Sequence, residues 1–250
     1  MTLMSDLYVL QEKIWRHVFE HEERLGISNV LLCGGTALAR FYLDHRVSYD
    51  LDFFVPSRFS PEALQSQLKK IGLEIVGAHM HGGDDYCRQL KGLVSDGKTS
   101  VRVDFIEDIY EGMFDVAEKN GAKTEVLDGL YHRKIRTVSG MFLKDGSIKG
   151  GRQTARDVFD LYVLGQSAEP LSTFIDRINQ QGANIPLDGL LTGIISMQWI
   201  DLLDEFDELT VDDKWAHCDL KVIRTYLEKE VLLLQNLKDQ AYEHESAFTF

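Results

Sequence analysis

The sequence has little cysteine, no long apolar run and a shortage of positive charge. Cysteine occurs three times in 250 residues, at scattered positions without CxxC spacing. That pattern favours reduced thiols over disulfides or a zinc site. No apolar stretch approaches the length of a membrane span, and the first residues lack the basic and apolar regions of a signal peptide. We therefore expect a cytoplasmic protein without a membrane segment.

The shortage of positive charge is uneven along the chain. The formal net charge is −13, from 27 Lys and Arg against 40 Asp and Glu. Residues 1–122 carry a net charge of −6, residues 123–156 a net charge of +5, and residues 157–250 a net charge of −12. A basic middle segment allows local phosphate binding, whereas the acidic remainder discourages non-specific binding to polyanions.

Two aspartates in a strand-like run are the first candidate site. Asp50 and Asp52 alternate with apolar residues, and a period of two puts both carboxylates on one face of a strand. Two like charges in a mostly apolar sheet are costly without a cation. Because carboxylate oxygens suit Mg²⁺ or Mn²⁺, the sequence predicts a divalent metal here.

A glycine pair lies upstream of these aspartates, at the end of a short apolar run. Gly34 and Gly35 allow the backbone to approach a phosphate closely, and Thr36 adds a hydroxyl where a helix is predicted to start. The unpaired N–H groups of a helix N-terminus attract anions. The sequence therefore predicts that a phosphate and a metal meet at this point.

Together these motifs resemble the AbiEii/AbiGii toxin group of nucleotidyltransferases, in the DNA polymerase beta superfamily. The resemblance rests on the glycine motif and on the segment before and through the aspartates: Gly34-Gly35-Thr36-Ala37-Leu38 and His45-Arg46-x-Ser48-x-Asp50-Leu51-Asp52-Phe53-Phe54. It implies an α+β fold, with a nucleotidyltransferase-type mixed sheet flanked by helices over 1–125 and a helical C-terminal domain over 126–250. It also implies nucleotide transfer from a nucleoside triphosphate with loss of pyrophosphate.

Asp104 is the expected third carboxylate. It interrupts an apolar strand predicted over 100–106, on the face shared with Arg102 and Ile106, and an Asp-Gly hairpin joins that strand to the preceding one. In the resembled superfamily a third acid from a later strand completes the metal site and faces the attacking hydroxyl. The alternative is a structural aspartate paired with Arg102 or Arg88.

The resemblance also implies a set of residues that bind the triphosphate. Arg46 and Lys134 are expected to neutralise its charge, and Lys134 resembles the family's lysine in the first helix after the catalytic domain. Ser48 is expected to orient the loop or a phosphate.

A later basic segment resembles a family helix that carries Arg, Lys-Asp and Asp-Leu-Tyr. Here it reads Arg152, Arg156-Asp157 and Asp160, with Arg156 where the family usually has lysine. Arginine keeps the charge but cannot give up a proton. Spacings of four predict that Arg152, Arg156 and Asp160 share a helix face, and the alternative is a solvated face with ion pairs.

Two histidine motifs stand outside this resemblance. His17-x-x-Glu20-His21 matches the HxxEH pattern of a class of zinc peptidases, but its place on the apolar stripe of a predicted first helix favours partly buried core histidines. The stretch 79–85 contains a His-x-His and is interpreted as a loop. Beyond Pro170 the pattern predicts helices at about 171–180, 187–206 and 213–240.

Three functions fit these observations. An RNA acceptor such as tRNA, with an antitoxin partner, follows from the toxin relatives and the basic middle segment. A small cationic acceptor such as an aminoglycoside is favoured by the overall charge. A non-catalytic protein that binds a nucleotide or a partner is left open by Arg156.

Overall fold

Two structural units share the chain. The structure, a computed structural model, describes residues 2–83, 86–142, 148–149 and 151–247. One unit comprises Met1–Asp44 and Ser48–Leu130, and the other comprises His45–Val47 and Tyr131–Phe250. The chain therefore passes into the second unit for three residues before it completes the first.

Five strands form the sheet of the first unit. Their order is β1-β2-β5-β4-β3; β2 and β5 are parallel, and the other neighbours are antiparallel. The elements of this unit are α1 (Thr2–Glu20), α2 (Glu22–Leu25), β1 (Leu31–Cys33), α3 (Gly34–Leu38) with a π-helical turn (Ala39–Leu43), β2 (Asp50–Val55), α4 (Pro61–Lys70), β3 (Val76–Gly83), β4 (Tyr86–Ser95), β5 (Ser100–Glu107), β6 (Val116–Lys119) and β7 (Ala122–Glu125). The expected α+β fold with a mixed sheet is confirmed.

The two faces of this sheet differ because its central strands alternate in polarity. Leu51, Phe53 and Val55 of β2 are fully buried. Phe53 stacks on Phe105 of β5 at 5.0 Å between ring centroids, and Phe19 of α1 packs edge-on against Phe53 at 6.1 Å. One face is therefore the core, which leaves the aspartates of β2 on the other.

Local sequence features determine several element ends in the first unit. Ser60 accepts a hydrogen bond from the Ala63 N–H at 3.2 Å and caps α4, whose first residue is Pro61. Gly26 ends α2 in the left-handed region, at φ +70°. β4 and β5 form the antiparallel hairpin that the Asp-Gly turn predicted.

The interpretation of 79–85 as a loop is wrong for its described part. His79–Gly83 lies in β3, which pairs with β4 through Met80 and Leu90, among others. These polar and glycine residues have low intrinsic strand propensity, but pairing with β4 places them in a strand. Residues 84 and 85 lie outside the described residues.

The second unit is mainly helical. Its elements are the C-terminal part of α5 (Leu127–Val138), a two-stranded pair formed by β8 (Met141–Phe142) and β9 (Ile148–Lys149), α6 (Ala155–Ser167), α7 (Leu171–Gln180), α8 (Leu187–Ile195), α9 (Leu202–Asp207), a 3₁₀ turn (Asp213–Trp215) and α10 (Leu220–Ala247). Among the described residues, no helix is both long enough and apolar enough to cross a membrane.

The helix predicted over 187–206 is two helices in the structure. The break has a tertiary cause: the Gln153 side chain donates to the Ser196 carbonyl at 3.2 Å and accepts the Gln198 N–H at 3.1 Å. One distant amide thus satisfies backbone groups that a continuous helix would pair internally.

Candidate active site

The strand register brings the three predicted carboxylates to one face of the sheet. In the parallel pair formed by β2 and β5, Asp52 lies opposite Asp104, and Asp50 lies opposite Arg102. Residues opposite each other on neighbouring strands point to the same side, as do residues two apart on one strand. The first two acids are half-buried, whereas Asp104 is 3% exposed.

Arg102 is a cation within this acidic face. Its Nη2 donates to Asp104 Oδ2 at 2.9 Å and its Nε to Asp104 Oδ1 at 3.2 Å. The hydrogen bonds to Asp104 raise the pKa of Arg102, and the charges of Asp104, Asp50 and Asp52 add to that effect against a smaller loss from burial. Lys91 Nζ approaches Asp104 Oδ2 at 3.7 Å. The pairing with Arg102 that the sequence left as an alternative is therefore present.

The three aspartate carboxylates lie farther apart than the ligand atoms of His17, Glu20 and His21. We searched the described residues for groups of at least three His, Cys, Asp or Glu side chains whose ligand atoms lie within 4.8 Å of one another. His17, Glu20 and His21 form such a group. The aspartates share a face and a counter-ion, Arg102, without meeting that limit.

Gly34 lies directly against the second aspartate. It begins α3 with φ +72°, and a Cβ built on it would lie 2.1 Å from Asp52 Oδ2. A side chain here would displace the carboxylate, and the left-handed conformation would strain any L-residue. The absence of a side chain at Gly34 therefore leaves the space that the Asp52 carboxylate occupies. Gly35 follows it in the first turn of the same short helix.

Thr36 and Ser48 are buried and bonded to each other. The Thr36 hydroxyl donates to Ser48 Oγ at 2.9 Å and also contacts the Asp50 carbonyl, while Gln11 Nε2 donates to the Ser48 carbonyl at 2.8 Å. Both hydroxyls thus brace the chain where it enters β2. The structure places neither of them as an exposed phosphate ligand.

A second cluster of predicted residues lies in the second unit, around Asp160. Arg46 binds this carboxylate with two parallel bonds, from Nε at 2.7 Å and from Nη2 at 2.8 Å. His45 Nε2 lies 2.7 Å from Asp160 Oδ1, and Lys134 Nζ lies 2.8 Å from Oδ2. Burial alone would raise the pKa of Asp160, but the charges of Arg46 and Lys134 outweigh it and lower that pKa well below its usual value.

Asp157 extends the cluster towards solvent. It is fully buried and accepts from Lys134 at 2.8 Å, from Arg152 Nε at 2.6 Å and from the Thr154 hydroxyl at 2.6 Å. Burial would raise the pKa of Asp157, but the charges and hydrogen bonds of Lys134 and Arg152 outweigh it and lower that pKa. Arg152 leaves 49% of its side chain exposed. The cluster thus has a buried interior and one cation at its edge.

The expected helix face formed by Arg152, Arg156 and Asp160 is wrong for Arg152, whereas Arg156 and Asp160 lie four residues apart in α6. Arg152 precedes α6, which begins at Ala155, where the Glu205 carboxylate accepts the backbone N–H at 2.9 Å. The guanidinium instead folds back onto Asp157 across a spacing of five. Arg156 is half-buried in the first turn of α6.

A groove on the acidic face was not foreseen from the sequence. It has a volume of about 490 Å³ and is lined by residues of β3, β4 and β5, including His79, His81, Lys91, Arg102, Val76 and Leu93. The alternation of polar residues at 79, 81, 89 and 91 was a usable signal for this face. The interpretation of 79–85 as a loop hides this alternation in the second half of β3.

The fold matches that of nucleotidyltransferases. The chain is similar to the structure of JHP933 from Helicobacter pylori, with 18% identity over 99% of this chain and 98% of that chain and a TM-score of 0.53. It is also similar to MenT4, a nucleotidyltransferase toxin from Mycobacterium tuberculosis H37Rv, with 15% identity over 93% of this chain and 84% of that chain and a TM-score of 0.53. At these identities the likeness establishes the fold.

The family follows from the sequence itself. The model of the nucleotidyl transferase AbiEii toxin family, type IV toxin-antitoxin system, matches residues 22–218. The chain belongs to this family and is a nucleotidyltransferase, which confirms the resemblance seen in its motifs. A search of curated proteins returns no match.

Proposed function

We propose that the protein transfers a nucleotide from a nucleoside triphosphate to an acceptor hydroxyl, and that Asp50, Asp52 and Asp104 hold the divalent metal for this reaction. The observation that carries the proposal is the register that sets Asp52 opposite Asp104 on one face of the sheet. The donor set suits the metal, because hard carboxylate oxygens are what Mg²⁺ and Mn²⁺ prefer. Arg102, which binds Asp104 and is stabilised in its charged form by Asp50 and Asp52, is a further sign that the site favours positive charge.

The chain's own groups have distinct parts in this reaction. The acceptor oxygen attacks the α-phosphorus, the bond from that phosphorus to the bridging oxygen breaks, and pyrophosphate leaves with the electron pair. Asp104 takes the proton of the attacking hydroxyl once Arg102 moves off it. The N–H groups of Gly35 and Thr36 bind a phosphate oxygen at the start of α3. A bound Mg²⁺ or Mn²⁺ would supply charge neutralisation for the transferring phosphoryl group and the leaving group.

The basic residues of the second unit divide into two roles in this proposal. Arg46 and Lys134 are buried on Asp160, so their charge is already committed. Arg152 is half exposed, and Arg156 is only half-buried. We assign phosphate binding to Arg152 and Arg156, and Asp157 holds Arg152 in place.

The groove beside Asp104 favours RNA as the acceptor. The polar side chains that line it are those of His79, His81, Lys91 and Arg102, a set that suits a phosphate backbone better than a cationic aminoglycoside. A tRNA-type acceptor and an antitoxin partner fit the type IV toxin-antitoxin family. A cationic small molecule is the weaker candidate, because only the overall charge of −13 favours it.

One labelling experiment separates these alternatives. The full chain is incubated with each α-labelled triphosphate and Mg²⁺ or Mn²⁺, with either total RNA or an aminoglycoside panel, and labelled product and pyrophosphate are measured. We expect labelled RNA with the wild type, none with Asp52→Asn, and wild-type labelling with Asp115→Asn. The last change removes the same charge at an exposed position of the same unit.

Three results would count against the proposal. Labelling that survives in Asp52→Asn would refute the metal assignment. Labelled aminoglycoside without labelled RNA would show that the acceptor is a small cationic molecule and not RNA. Tight triphosphate binding without any pyrophosphate release would favour a non-catalytic nucleotide-binding protein.

A further inference from the structure

We propose that His17, Glu20 and His21 form a second metal site, specific for a divalent transition metal such as Zn²⁺ and separate from the three aspartates. Each of the three side chains offers one ligand atom, and these atoms lie within 4.8 Å of one another. The site lies where α1 ends and α2 begins. It does not depend on the proposed reaction.

The end of α1 explains why three ligands can converge there. Positions 17, 20 and 21 follow the i, i+3 and i+4 spacing that shares a helix face. α1 stops at Glu20, and His21 leaves helical geometry at φ −122° and ψ 18°. The two imidazole rings are 4.5 Å apart between centroids and tilted by 49°. They are thus neighbours that one ion can reach.

The hydrogen bonds of the two histidines prepare one nitrogen of each ring for a metal. His17 Nε2 contacts the Ile71 carbonyl, and His21 Nδ1 lies 2.9 Å from the His17 carbonyl. A carbonyl only accepts, so these nitrogens carry the protons and the opposite nitrogens keep their lone pairs. A backbone carbonyl that orients a histidine in this way is a usual support of a metal ligand.

The ligand set indicates the class of ion and argues against a peptidase. Imidazole suits Zn²⁺, Ni²⁺ and Cu²⁺ better than Mg²⁺. In an HxxEH peptidase the glutamate is the general base, and a third ligand comes from elsewhere. Here Glu20 itself completes the group of three. We therefore assign the site to metal binding that fastens the end of α1 to α2, and not to peptide hydrolysis.

The test measures Zn²⁺ binding to the full chain after chelator treatment, by calorimetry and by Co²⁺ absorption, without nucleotide. We expect one high-affinity ion per chain and a rise in Tm of roughly 5 °C at a hundredfold excess over Kd. His21→Gln should weaken binding by at least about tenfold, and Glu20→Gln should weaken it by a smaller factor. Glu23→Gln, the same charge change on α2 outside the site, should bind like the wild type.

The variants also separate this site from the catalytic one. Asp52→Asn should keep the Zn²⁺ site intact, because it lies outside the group of three. Equal binding in His21→Gln and the wild type, or no saturable Zn²⁺ binding, would overturn the proposal. If His21→Gln fails to fold by circular dichroism, unweakened binding in the exposed Glu20→Gln variant overturns it instead.

Discussion

Arg102 holds the carboxylate of Asp104 with two hydrogen bonds, at 2.9 and 3.2 Å, on the sheet face that also carries Asp50 and Asp52. An arginine and a divalent cation bound to the same carboxylate compete, because each satisfies the same negative charge. In the proposed metal site, the arginine is thus the counter-ion that the metal would displace.

Removing this counter-ion should strengthen metal binding. We expect Arg102→Gln to lower the Kd for Mn²⁺ by roughly tenfold, or about 1.4 kcal/mol, measured by electron paramagnetic resonance without nucleotide. The Kd of Arg102→Lys should lie between those of Arg102→Gln and the wild type, since lysine keeps the charge but not the two parallel hydrogen bonds. Arg58→Gln, which removes an exposed cation of the same unit, is the matched control. An unchanged or higher Kd in Arg102→Gln would contradict the competition.

Gly34→Ala should abolish transfer while Gly26→Ala preserves it. Both glycines are left-handed, at φ +72° and +70°, so each substitution should cost about 1 kcal/mol of stability from the backbone alone. At Gly34 the added Cβ would collide with the Asp52 carboxylate. At Gly26 the added Cβ would have no neighbouring atom within 4 Å. Urea unfolding and the labelling assay measure the two effects. Equal activity in both variants would show that the position of Asp52 does not limit the reaction.

Asp160→Asn should destabilise the second unit by about 3–5 kcal/mol, because it removes the carboxylate that binds the buried Arg46 and one of the two carboxylates that bind the buried Lys134. The free energy of unfolding, followed by circular dichroism in urea, measures the loss. Glu228→Gln is the control: it breaks an exposed pair with Arg224 and should cost under about 0.5 kcal/mol. Similar losses in the two variants would mean that the buried network adds nothing over a surface pair.

Acid should destabilise the second unit through His132. Burial, together with the charges of Arg136 and Arg133, lowers the pKa of this histidine to about 4, and its Nε2 accepts the Arg136 Nε–H at 3.2 Å. The folded pKa lies below the unfolded value of about 6.5, so the stability is complete above pH 6.5 and is lost as pH falls towards 4, by about 3 kcal/mol.

His132→Gln tests this pH dependence, since it keeps an acceptor but cannot titrate. Urea unfolding at several pH values between 7 and 4.5 should show a shallower loss than in the wild type. Some slope should remain, because burial also lowers the pKa of His45. His217→Gln, at an exposed position, should follow the wild type. Parallel curves for His132→Gln and the wild type would exclude His132 as the source.

The local parts of the fold could be predicted because their signals are short-range. The period of two in β2, the serine cap of α4 and the glycine at the end of α2 each depend on a few neighbours. The hairpin of β6 and β7 was equally readable and was missed: Asn120 and Gly121 both have positive φ, at 51° and 75°, which is the Asn-Gly turn that favours tight hairpins.

The site was only partly predictable, because its decisive contacts join distant residues. The common face of Asp52 and Asp104 followed from strand alternation and from the resemblance. The bond from Arg46 to Asp160 spans 114 positions, and no spacing rule within one sequence indicates it. Burial was equally hidden: Lys134 and Thr36 belong to polar types that usually face water, yet both are buried by partners far along the chain.

The three residues His45–Val47 make the chain difficult to dissect. They belong to the second unit although the first unit lies on both sides of them in the chain, and their backbone is bonded to Thr210 and Asp212. A C-terminal fragment that starts after residue 130 would lack both His45 and Arg46, and Asp160 would keep only one of its three basic partners. Fragment expression or split-reporter designs for this enzyme therefore need to carry that tripeptide along, for example by circular permutation.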